Sequence, residues 1–271
     1  MVRNEGDLLR KVMVSTPVKE YYNVDNPENH NIYEVADRQR AIVQHDVFKE
    51  TLKSFGVDVI DIEELPGHPN SVFTRDAALV TPEGYIKLRM GLKTREGEEE
   101  WLGRNLEEKG VPLFGEINPP GTVEGGDIIL AGRVAFLSLS PRTNKEGAEQ
   151  LSAILKRMGY EIRVSELKPP FFHIGSVMSM VDPGTVLFCR GAFEREYFKG
   201  FRTIEIDCGE YPGGNVLCLG RGEVVASMSN RMAVEALYRE KYTIHAVDLS
   251  EFEKGAGGPT CLVLPVERIP E

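Results

Sequence analysis

The sequence has few cysteines and no long hydrophobic stretch, and these absences exclude several classes of protein. Its four cysteines, at positions 189, 208, 218 and 261, form neither the close pairs of a zinc site nor the density of a disulfide-rich scaffold. Cys189, Cys208 and Cys218 lie in apolar strand contexts, where we expect buried free thiols. No apolar run approaches the roughly 20 residues that a helix needs to cross a bilayer, so we expect no membrane-spanning segment.

The sequence also contains fewer basic than acidic residues. The formal net charge is −10 at pH 7 and the isoelectric point is near 5.2. Nucleic acids and anionic membranes are bound by clusters of Lys and Arg, and the sequence has no basic stripe. We therefore expect neither as a partner. The first seven residues lack a hydrophobic signal region, so we expect a cytoplasmic protein.

What the sequence does contain is a unit that returns five times: a two-stranded hairpin, a helix and a closing strand. Each helical stretch ends at a glycine or a Lys-Tyr pair, at residues 56, 110, 159, 200 and 241–242. A glycine at this point favours the left-handed helix cap, and the hydrophobic period then changes from 3.6 to 2. The hairpins precede the helices, with turn signals at 81–84, 131–133, 182–184 and 220–222.

Four hairpins serve five helices, and the two ends of the chain can supply the missing one. Residues 261–265 would pair with residues 11–15, which closes the five units into a ring. A length of 271 residues would allow one large domain or two small ones. Because a closed ring is one unit, we predict a single α/β domain over residues 1–271.

The helices are predicted from apolar periodicity. The expected ranges are 34–55, 96–109, 144–158, 192–199 and 230–241, with Asn144 and either Ser229 or Asn230 as N-caps. The first helix should bury one stripe, composed of Val35, Ile42, Val43, Val47, Leu52 and Phe55. Long loops precede the predicted centre. Within them, residues 20–25 form either a lid or an exposed polar loop.

Chemically active groups stand just before the hairpins, and equivalent positions in a ring of repeats face the same axis. These residues are Asp76, Glu124 with Asp127, His173, Asn215 and Cys261. A thiol nucleophile, an imidazole proton shuttle and carboxylates that attract a cation are the parts of a covalent hydrolase. The sequence therefore predicts one catalytic centre on the axis of the ring.

Cys261 is the predicted nucleophile of this centre. The glycine-rich run 255–260 permits close backbone approach, although a cysteine before an apolar strand can also be a packed thiol. A thiol with a pKa of about 8.5 needs a nearby cation, either protonated His173 or a cationic substrate. His173 is the predicted general acid and base, with a structural role as the alternative. Surface or helix-face roles suffice for the other histidines.

The carboxylates need partners, because a charge beside a hydrophobic strand is costly to bury alone. Asp76 and Glu124 would clamp a planar cation by paired hydrogen bonds, as carboxylates do with guanidinium. Asp76 could instead pair with Arg75 or another arginine, and Glu124 could orient His173. We place Asp127 among the substrate-binding residues, with stabilisation of its own glycine turn as the alternative.

Four short motifs resemble those of the guanidino-modifying enzymes, which include arginine deiminase, dimethylarginine dimethylaminohydrolase and the amidinotransferases. They are Phe73-Thr74-Arg75-Asp76, Glu124-Gly125-Gly126-Asp127, His173 and Gly257-Gly258-Pro259-Thr260-Cys261, in the order of the family. The resemblance covers the chain from about Asn70 to its end. It implies the pentein fold, a five-bladed pseudo-symmetric α/β propeller, which agrees with the five repeats.

The resemblance also implies a mechanism, with neither a metal nor a cofactor. Cys261 would attack the guanidinium carbon and His173 would protonate the departing amine. Water activated by His173 would then hydrolyse the S-amidino adduct. The predicted ligands form no short-spaced metal-binding set in the sequence, and a thiol mechanism needs no metal.

Further substrate-binding residues are implied by the same resemblance. Asn70 would join Asp76 in the site, and Arg95 and Arg142 would bind a substrate carboxylate. Arg95 could instead pair within residues 96–100, and Arg142 could decorate the start of a helix. The resulting hypothesis is hydrolysis of arginine or an Nω-methylated arginine to citrulline and ammonia or an amine.

Departures from the family pattern leave the substrate open. Deiminases and amidinotransferases have an aspartate where this sequence has Gly175, whereas the short length and the run 142–144 resemble the dimethylarginine enzymes. Related arginine dihydrolases use an asparagine that resembles Asn70 and release ornithine. The remaining alternatives are an amidinotransferase that uses an amine acceptor and a non-catalytic ribosome-binding protein of the same fold. The oligomeric state is open as well, and includes a homo-oligomer.

Overall fold

The computed structural model of the chain describes residues 1–209 and 211–271. The strands are β1 (Leu8–Ser15), β2 (Asp58–Ile62), β3 (Ala78–Thr81), β4 (Gly84–Lys87), β5 (Leu113–Glu116), β6 (Ile128–Ala131), β7 (Val134–Leu139), β8 (Glu161–Glu166), β9 (Met178–Asp182), β10 (Thr185–Cys189), β11 (Arg202–Ile206), β12 (Val216–Gly220), β13 (Glu223–Ser227), β14 (Thr243–Val247) and β15 (Leu264–Ile269). The α-helices are α1 (Arg38–Ser54), α2 (Glu98–Glu108), α3 (Lys145–Arg157), α4 (Arg231–Arg239) and α5 (Ser250–Glu253). In the part of the chain that the structure describes, no helix combines the length and the hydrophobicity needed to cross a membrane.

The strands form five sheets of three strands each, with one pairing pattern throughout. Their orders are β15-β1-β2, β3-β4-β5, β6-β7-β8, β9-β10-β11 and β12-β13-β14. In every sheet the first two strands are antiparallel and the third is parallel to the second. This repetition confirms the hairpin and the closing strand of the predicted unit and gives the molecule its pseudo-fivefold arrangement.

The first sheet joins the two ends of the chain. Met13 in β1 lies opposite Leu264 in β15, and Val12 lies opposite Pro265. The pairing confirms the predicted association of the termini. The C-terminal strand begins at Leu264, so Cys261 lies three residues before it in a turn rather than in the strand.

Burial falls from the first strand of each sheet to the third. Every residue of β3, β6 and β12 is buried, whereas the outer strand β5 exposes 45% of Leu113 and 37% of Phe114. The first strands also pack on one another between sheets, as β12 does on β9, β6 on β9 and β15 on β3. The first strands therefore lie at the middle of the molecule, and the residues that precede them lie near its centre.

Left-handed backbone follows each of the five predicted helix ends. The residues with positive φ are Gly56, Gly110, Gly159, Gly200 and Lys241. The caps at Asn144 and Asn230 are confirmed, because each side chain accepts a backbone N–H of the first helical turn. The predicted stripe of α1 is wrong in part: 61% of Val43 and 50% of Val47 are exposed, and the buried face is Ala41, Gln44, His45, Phe48 and Leu52.

The helix predicted over residues 192–199 is also wrong. Only a short 3₁₀ turn, Arg195–Phe198, is present between β10 and β11. Phe198 is buried against Phe188 and Phe136, with ring centroids 4.6 and 5.8 Å away. Aromatic packing on the sheet therefore replaces the helix that covers the other units.

Two of the predicted free thiols are joined instead. Cys189 at the end of β10 and Cys208 just after β11 form a disulfide, so only Cys218 retains the predicted role of a buried free thiol. The two strands are parallel neighbours, and Cys189 lies opposite Ile206 in their register. Sequence spacing did not indicate this pairing, because it depends on which strands become neighbours.

Candidate functional site

The five predicted positions before the first strands meet at one centre. Each stands next to a tight turn or the start of a strand, where backbone groups are free to bond side chains. Three of them, Asp76, His173 and Cys261, line a cavity of about 260 Å³. Glu124 lies behind His173, and Asn215 lies behind Cys261. A thiol, an imidazole and a carboxylate thus line one cavity.

His173 is held between two carboxylates. Its Nε2 donates to Oε2 of Glu124 at 2.8 Å, and its Nδ1 lies 3.9 Å from Oδ1 of Asp76. Burial by itself would lower the pKa of His173, but the charge of Asp76, the bond to Glu124 and the charge of Asp127 raise it to about 9. His173 is therefore an imidazolium at neutral pH and can donate a proton to a leaving group.

Glu124 is fixed on both of its oxygens. Oε1 accepts the backbone N–H groups of Gly91 and Leu92, each at 3.0 Å, and Oε2 accepts from His173. Burial opposes its ionisation, but the bond to His173 and the charges of nearby arginines hold its pKa below the usual value. A fully buried carboxylate with this geometry orients the imidazole and keeps it protonated.

Cys261 is held by the residues around its turn. Nδ2 of Asn215 donates to Sγ at 3.3 Å, and Oδ1 of Asn215 accepts from the backbone N–H and hydroxyl of Thr260 at 3.1 and 2.9 Å. A Cβ on Gly258 would lie 2.7 Å from the Asn215 side chain, so glycine is required for this approach. Burial and Asp76 raise the pKa of the thiol, which therefore needs a bound cation to ionise at neutral pH.

The Asp76 carboxylate already accepts hydrogen bonds from other residues of the protein. Its Oδ1 accepts the N–H of Gly126 at 3.0 Å, and its Oδ2 accepts from Nη1 of Arg95 at 2.6 Å. Arg95 also donates to Glu98 and to the backbone oxygens of Asn70 and Phe73. A carboxylate offers about four acceptor positions, so Asp76 retains capacity for a second cation.

Arg142 presents a donor to the cavity. Its guanidinium stacks on Phe172 at 5.4 Å, and Nη1 lies 3.7 Å from Oε1 of Glu124. Nη1 has no hydrogen-bond partner among the described residues, and the same is true of Oδ1 of Asn70 and Nδ1 of His30. All three residues line the cavity. An unpaired donor on one lining residue and an unpaired acceptor on another suit a ligand that carries both an anionic and a cationic group.

A metal could be held by Asp76, Glu124 and His173. Their ligand atoms lie within 4.8 Å of one another, although the three residues are far apart in the sequence. In this arrangement Glu124 and His173 bond each other and Asp76 bonds Arg95. A metal ion bound there would have to displace these bonds.

Comparison with known proteins agrees with this geometry. The sequence model of the family described as N,N dimethylarginine dimethylhydrolase, eukaryotic, matches residues 22–268. The chain belongs to this family.

Relatives of known sequence and structure fit that assignment. The chain is 29% identical to N(G),N(G)-dimethylarginine dimethylaminohydrolase of Pseudomonas aeruginosa over 84% of its own length and 89% of the relative's. A solved structure of the enzyme from that organism, a cysteine-to-serine mutant in complex with citrulline, superposes with a TM-score of 0.84 at 26% identity, over 95% and 99% of the two chains. An uncharacterised protein of Aeropyrum pernix is 31% identical over 85% and 86%.

Membership in the family confirms the resemblance to the guanidino-modifying enzymes that the four motifs indicated. The chain is accordingly a hydrolytic enzyme of guanidino compounds. The predicted residues Asn70, Asp76, Arg95, Arg142, His173 and Cys261 all line the cavity.

Three predicted roles change in the structure. Asp127 is wrong as a substrate-binding residue, because its oxygens accept from Ser138, Ser140, Thr143 and the N–H of Ile174 and it does not line the cavity. Its side chain links residues 138–143 to the backbone after His173, so it does not hold its own glycine turn, which was the alternative. Glu124 bonds His173 instead of facing the cavity, so it orients and does not clamp. Arg95 pairs with Glu98, within the range 96–100 considered as the alternative.

Residues 20–25, expected to form either a lid or an exposed polar loop, do not line the cavity, and Tyr21 fits neither expectation. Tyr21 is only 1% exposed, packs against Phe252 and Phe73, and donates to the backbone oxygen of Glu251. The cavity is lined farther along the same loop, by His30, Asn31 and Tyr33. The surface or helix-face role expected for His30 is therefore wrong, because this residue lines the cavity.

Proposed function

We propose that the chain hydrolyses the guanidino group of arginine or an Nω-methylated arginine through a covalent adduct on Cys261. The observation that carries this proposal is the placement of Cys261, His173 and Asp76 around one cavity. Buried negative charge attracts a guanidinium there, and the thiol stands beside it. The bound cation then favours the thiolate, whose pKa the protein alone raises.

The reaction proceeds in two halves. The Cys261 thiolate forms a bond to the guanidinium carbon, and the C–N bond to the leaving amine breaks as protonated His173 transfers its proton to that nitrogen. His173, now neutral, takes a proton from water as the water oxygen bonds to the amidino carbon. The C–S bond breaks, Cys261 departs as thiolate, and a ureido product remains. With arginine and one water, the products are citrulline and ammonia.

The amino-acid end of the substrate would be bound away from the thiol. Nη1 of Arg142 would donate to the substrate carboxylate. Oδ1 of Asn70 would accept from the substrate ammonium group. Arg95 would hold Asp76 in place while the second face of that carboxylate meets the substrate. These separate roles of Arg95 and Arg142 explain why the two arginines have different surroundings.

An arginine dihydrolase is the second candidate. The observation that favours it is the unpartnered Oδ1 of Asn70 in the cavity, which could position a second water on the product. A dihydrolase would consume two waters and release ornithine, two molecules of ammonia and carbon dioxide, and a deiminase would stop at citrulline. An amidinotransferase would need an amine acceptor.

Product analysis distinguishes these reactions. Purified protein is incubated separately with arginine and asymmetric dimethylarginine, with and without glycine or ornithine as acceptor, and citrulline, ornithine, ammonia and dimethylamine are quantified. We expect citrulline with one equivalent of ammonia or dimethylamine. Ornithine from arginine alone establishes the dihydrolase, and acceptor-dependent turnover establishes the transferase. Turnover of neither substrate contradicts the proposal and favours a binding protein.

The five sheets, we propose, close into a five-bladed propeller. Contacts between β15 and β3, between β6 and β9, and between β12 and both β9 and β1 support this arrangement. The cytoplasmic location and the oligomeric state remain predictions. The Cys189–Cys208 disulfide is a feature more frequent outside reducing compartments.

A further inference from the structure

The N-terminal segment, residues 1–7, crosses the inner strands at their ends farthest from the substrate cavity. Asn4 bridges to Ala131, the last residue of β6, and the N–H of Glu5 donates to the oxygen of Leu130 at 2.7 Å. A Cβ on Gly6 would lie 2.1 Å from the backbone oxygen of Asp182, the last residue of β9. The segment therefore lies tightly against two of the five sheets.

Glu5 brings a carboxylate from this segment to Arg75. Oε1 of Glu5 accepts from Nη2 of Arg75 at 2.7 Å and from the N–H of Leu130 at 3.2 Å. Arg75 is 7% exposed; its Nε also donates to the backbone oxygen of Gly125 at 3.2 Å, and its Nη2 to that of Ile128 at 2.6 Å. The ion pair thus joins the N-terminal segment to the turn that follows Glu124.

Arg75 also contacts the turn of the proposed nucleophile. Its backbone N–H donates to the oxygen of Cys261 at 3.3 Å. A second, small cavity of about 10 Å³ is lined by Glu5, Arg75, His173 and Cys261. It shares His173 and Cys261 with the substrate cavity, so the ion pair borders the reacting groups on another side.

We propose that Glu5 and Arg75 are positioning residues for Cys261. Through their ion pair, the N-terminal segment closes the catalytic centre on the side away from the substrate cavity. This inference rests on the proposed function, since it concerns the same thiol. Nothing in the mechanism uses either residue directly. Arg75 fixes the backbone of the Cys261 turn, and Glu5 fixes Arg75 and neutralises its charge.

The two charges have opposite effects on the thiol. With Glu5 neutralised, the Arg75 cation stands uncompensated beside Cys261 and favours the thiolate. With Arg75 neutralised, the Glu5 carboxylate disfavours it. Apart from this pair, the charged or titratable groups in or behind the cavity that Cys261 lines are Asp76, Glu124, Asp127, His173, Arg95, Arg142, His30, Tyr33, Tyr211 and Glu253. The proposed variants leave all of these unchanged.

The test is the pH dependence of alkylation of Cys261 by iodoacetamide, followed by mass spectrometry of the peptide that contains it. We expect Glu5→Gln to lower the apparent pKa of alkylation by about 0.5 to 1, Arg75→Gln to raise it by about as much, and the double variant to return it near the original value. Glu5→Asp, which withdraws the carboxylate from Arg75, should give a smaller shift in the direction of Glu5→Gln.

The matched control is Asn4→Ala. It removes the bonds of Asn4 to Pro183 and Gly6 in the same segment and leaves the Glu5–Arg75 pair in place. Shifts of the same sign in both single variants, or shifts no larger than that of Asn4→Ala, would overturn the proposal. If a lone buried charge prevents folding of Glu5→Gln, the direction of the Glu5→Asp shift decides.

Alkylation requires no turnover, so the two proposals fail separately. Turnover with unmoved pKa values refutes the positioning role and keeps the proposed function. The expected opposite shifts without turnover of any guanidino compound keep the positioning role and refute the function.

Discussion

Glu124 and His173 form a buried pair in which Oε2 and Nε2 are 2.8 Å apart. The carboxylate is fully buried and is itself fixed by the N–H groups of Gly91 and Leu92. This relationship sets both the orientation of the imidazole and its charge, because Glu124 is one of the groups that raise the pKa of His173 to about 9. The predictions below begin from it.

Glu124→Gln should lower kcat by about 100-fold, because an amide neither fixes the protonated imidazole nor stabilises its charge. The pKa of His173 should fall, and the alkaline limb of the kcat profile should move to lower pH. The matched control is Glu223→Gln, which breaks a partly exposed glutamate–histidine pair with His245 at 2.7 Å. If both variants retain the original profile, Glu124 does not act through His173.

The pH profile of the unaltered protein should be displaced to alkaline pH. The free protein must lose a proton from Cys261, whose pKa is raised, while His173 keeps the proton that it loses near pH 9. We therefore expect kcat/KM to rise through neutral pH and to fall above about 9. A profile that is flat from acid to alkaline pH would contradict these two assignments.

Arg142→Gln should raise KM for arginine by about 10- to 100-fold and change kcat little, since a charge-assisted bond to a carboxylate contributes about 1.5 to 3 kcal/mol. An analogue of arginine without the carboxylate should show no such change. Arg163→Gln is the control, because Arg163 stacks on Phe136 at 5.7 Å in a similar manner and does not line the cavity. An equal loss with the analogue would contradict carboxylate binding.

Reduction of the Cys189–Cys208 disulfide should destabilise the fold. The cysteines are 19 residues apart in sequence, and closing a loop of this length stabilises by about 3 kcal/mol in the chain-entropy account. Denaturant unfolding with and without a reductant measures the difference, and Cys218→Ser should keep this sensitivity. The double variant Cys189→Ser/Cys208→Ser should lose it. An unfolding midpoint that ignores the reductant in the original chain would be inconsistent with the bond.

The repeat explains how much of the fold could be predicted from sequence. Helix ends such as Gly56 and Gly110 and turn signals such as 182–184 are local, and their spacing is regular, so the five units and the meeting of Asp76, His173 and Cys261 followed from equivalence of position. The pairing of the chain ends followed from one missing hairpin.

The remainder depended on tertiary contacts. Val43 and Val47 fit an apolar period but face outward, because the core side of α1 is decided by its packing on β2 and α5. The role of Asp127 depended on which of its lone pairs the neighbouring hydroxyl groups occupy. Which hydroxyl groups reach the Asp127 carboxylate depends on distances in the folded structure, and these cannot be read from the sequence.

The central claim is that Cys261 is the nucleophile, and the most direct test compares turnover of Cys261→Ser with that of Cys218→Ser. Cys218 is a buried thiol that bonds backbone oxygens and does not line the cavity. We predict that Cys261→Ser loses more than about 1,000-fold in citrulline formation, while Cys218→Ser remains within a few-fold of the original chain. Retention of activity by Cys261→Ser would contradict the account.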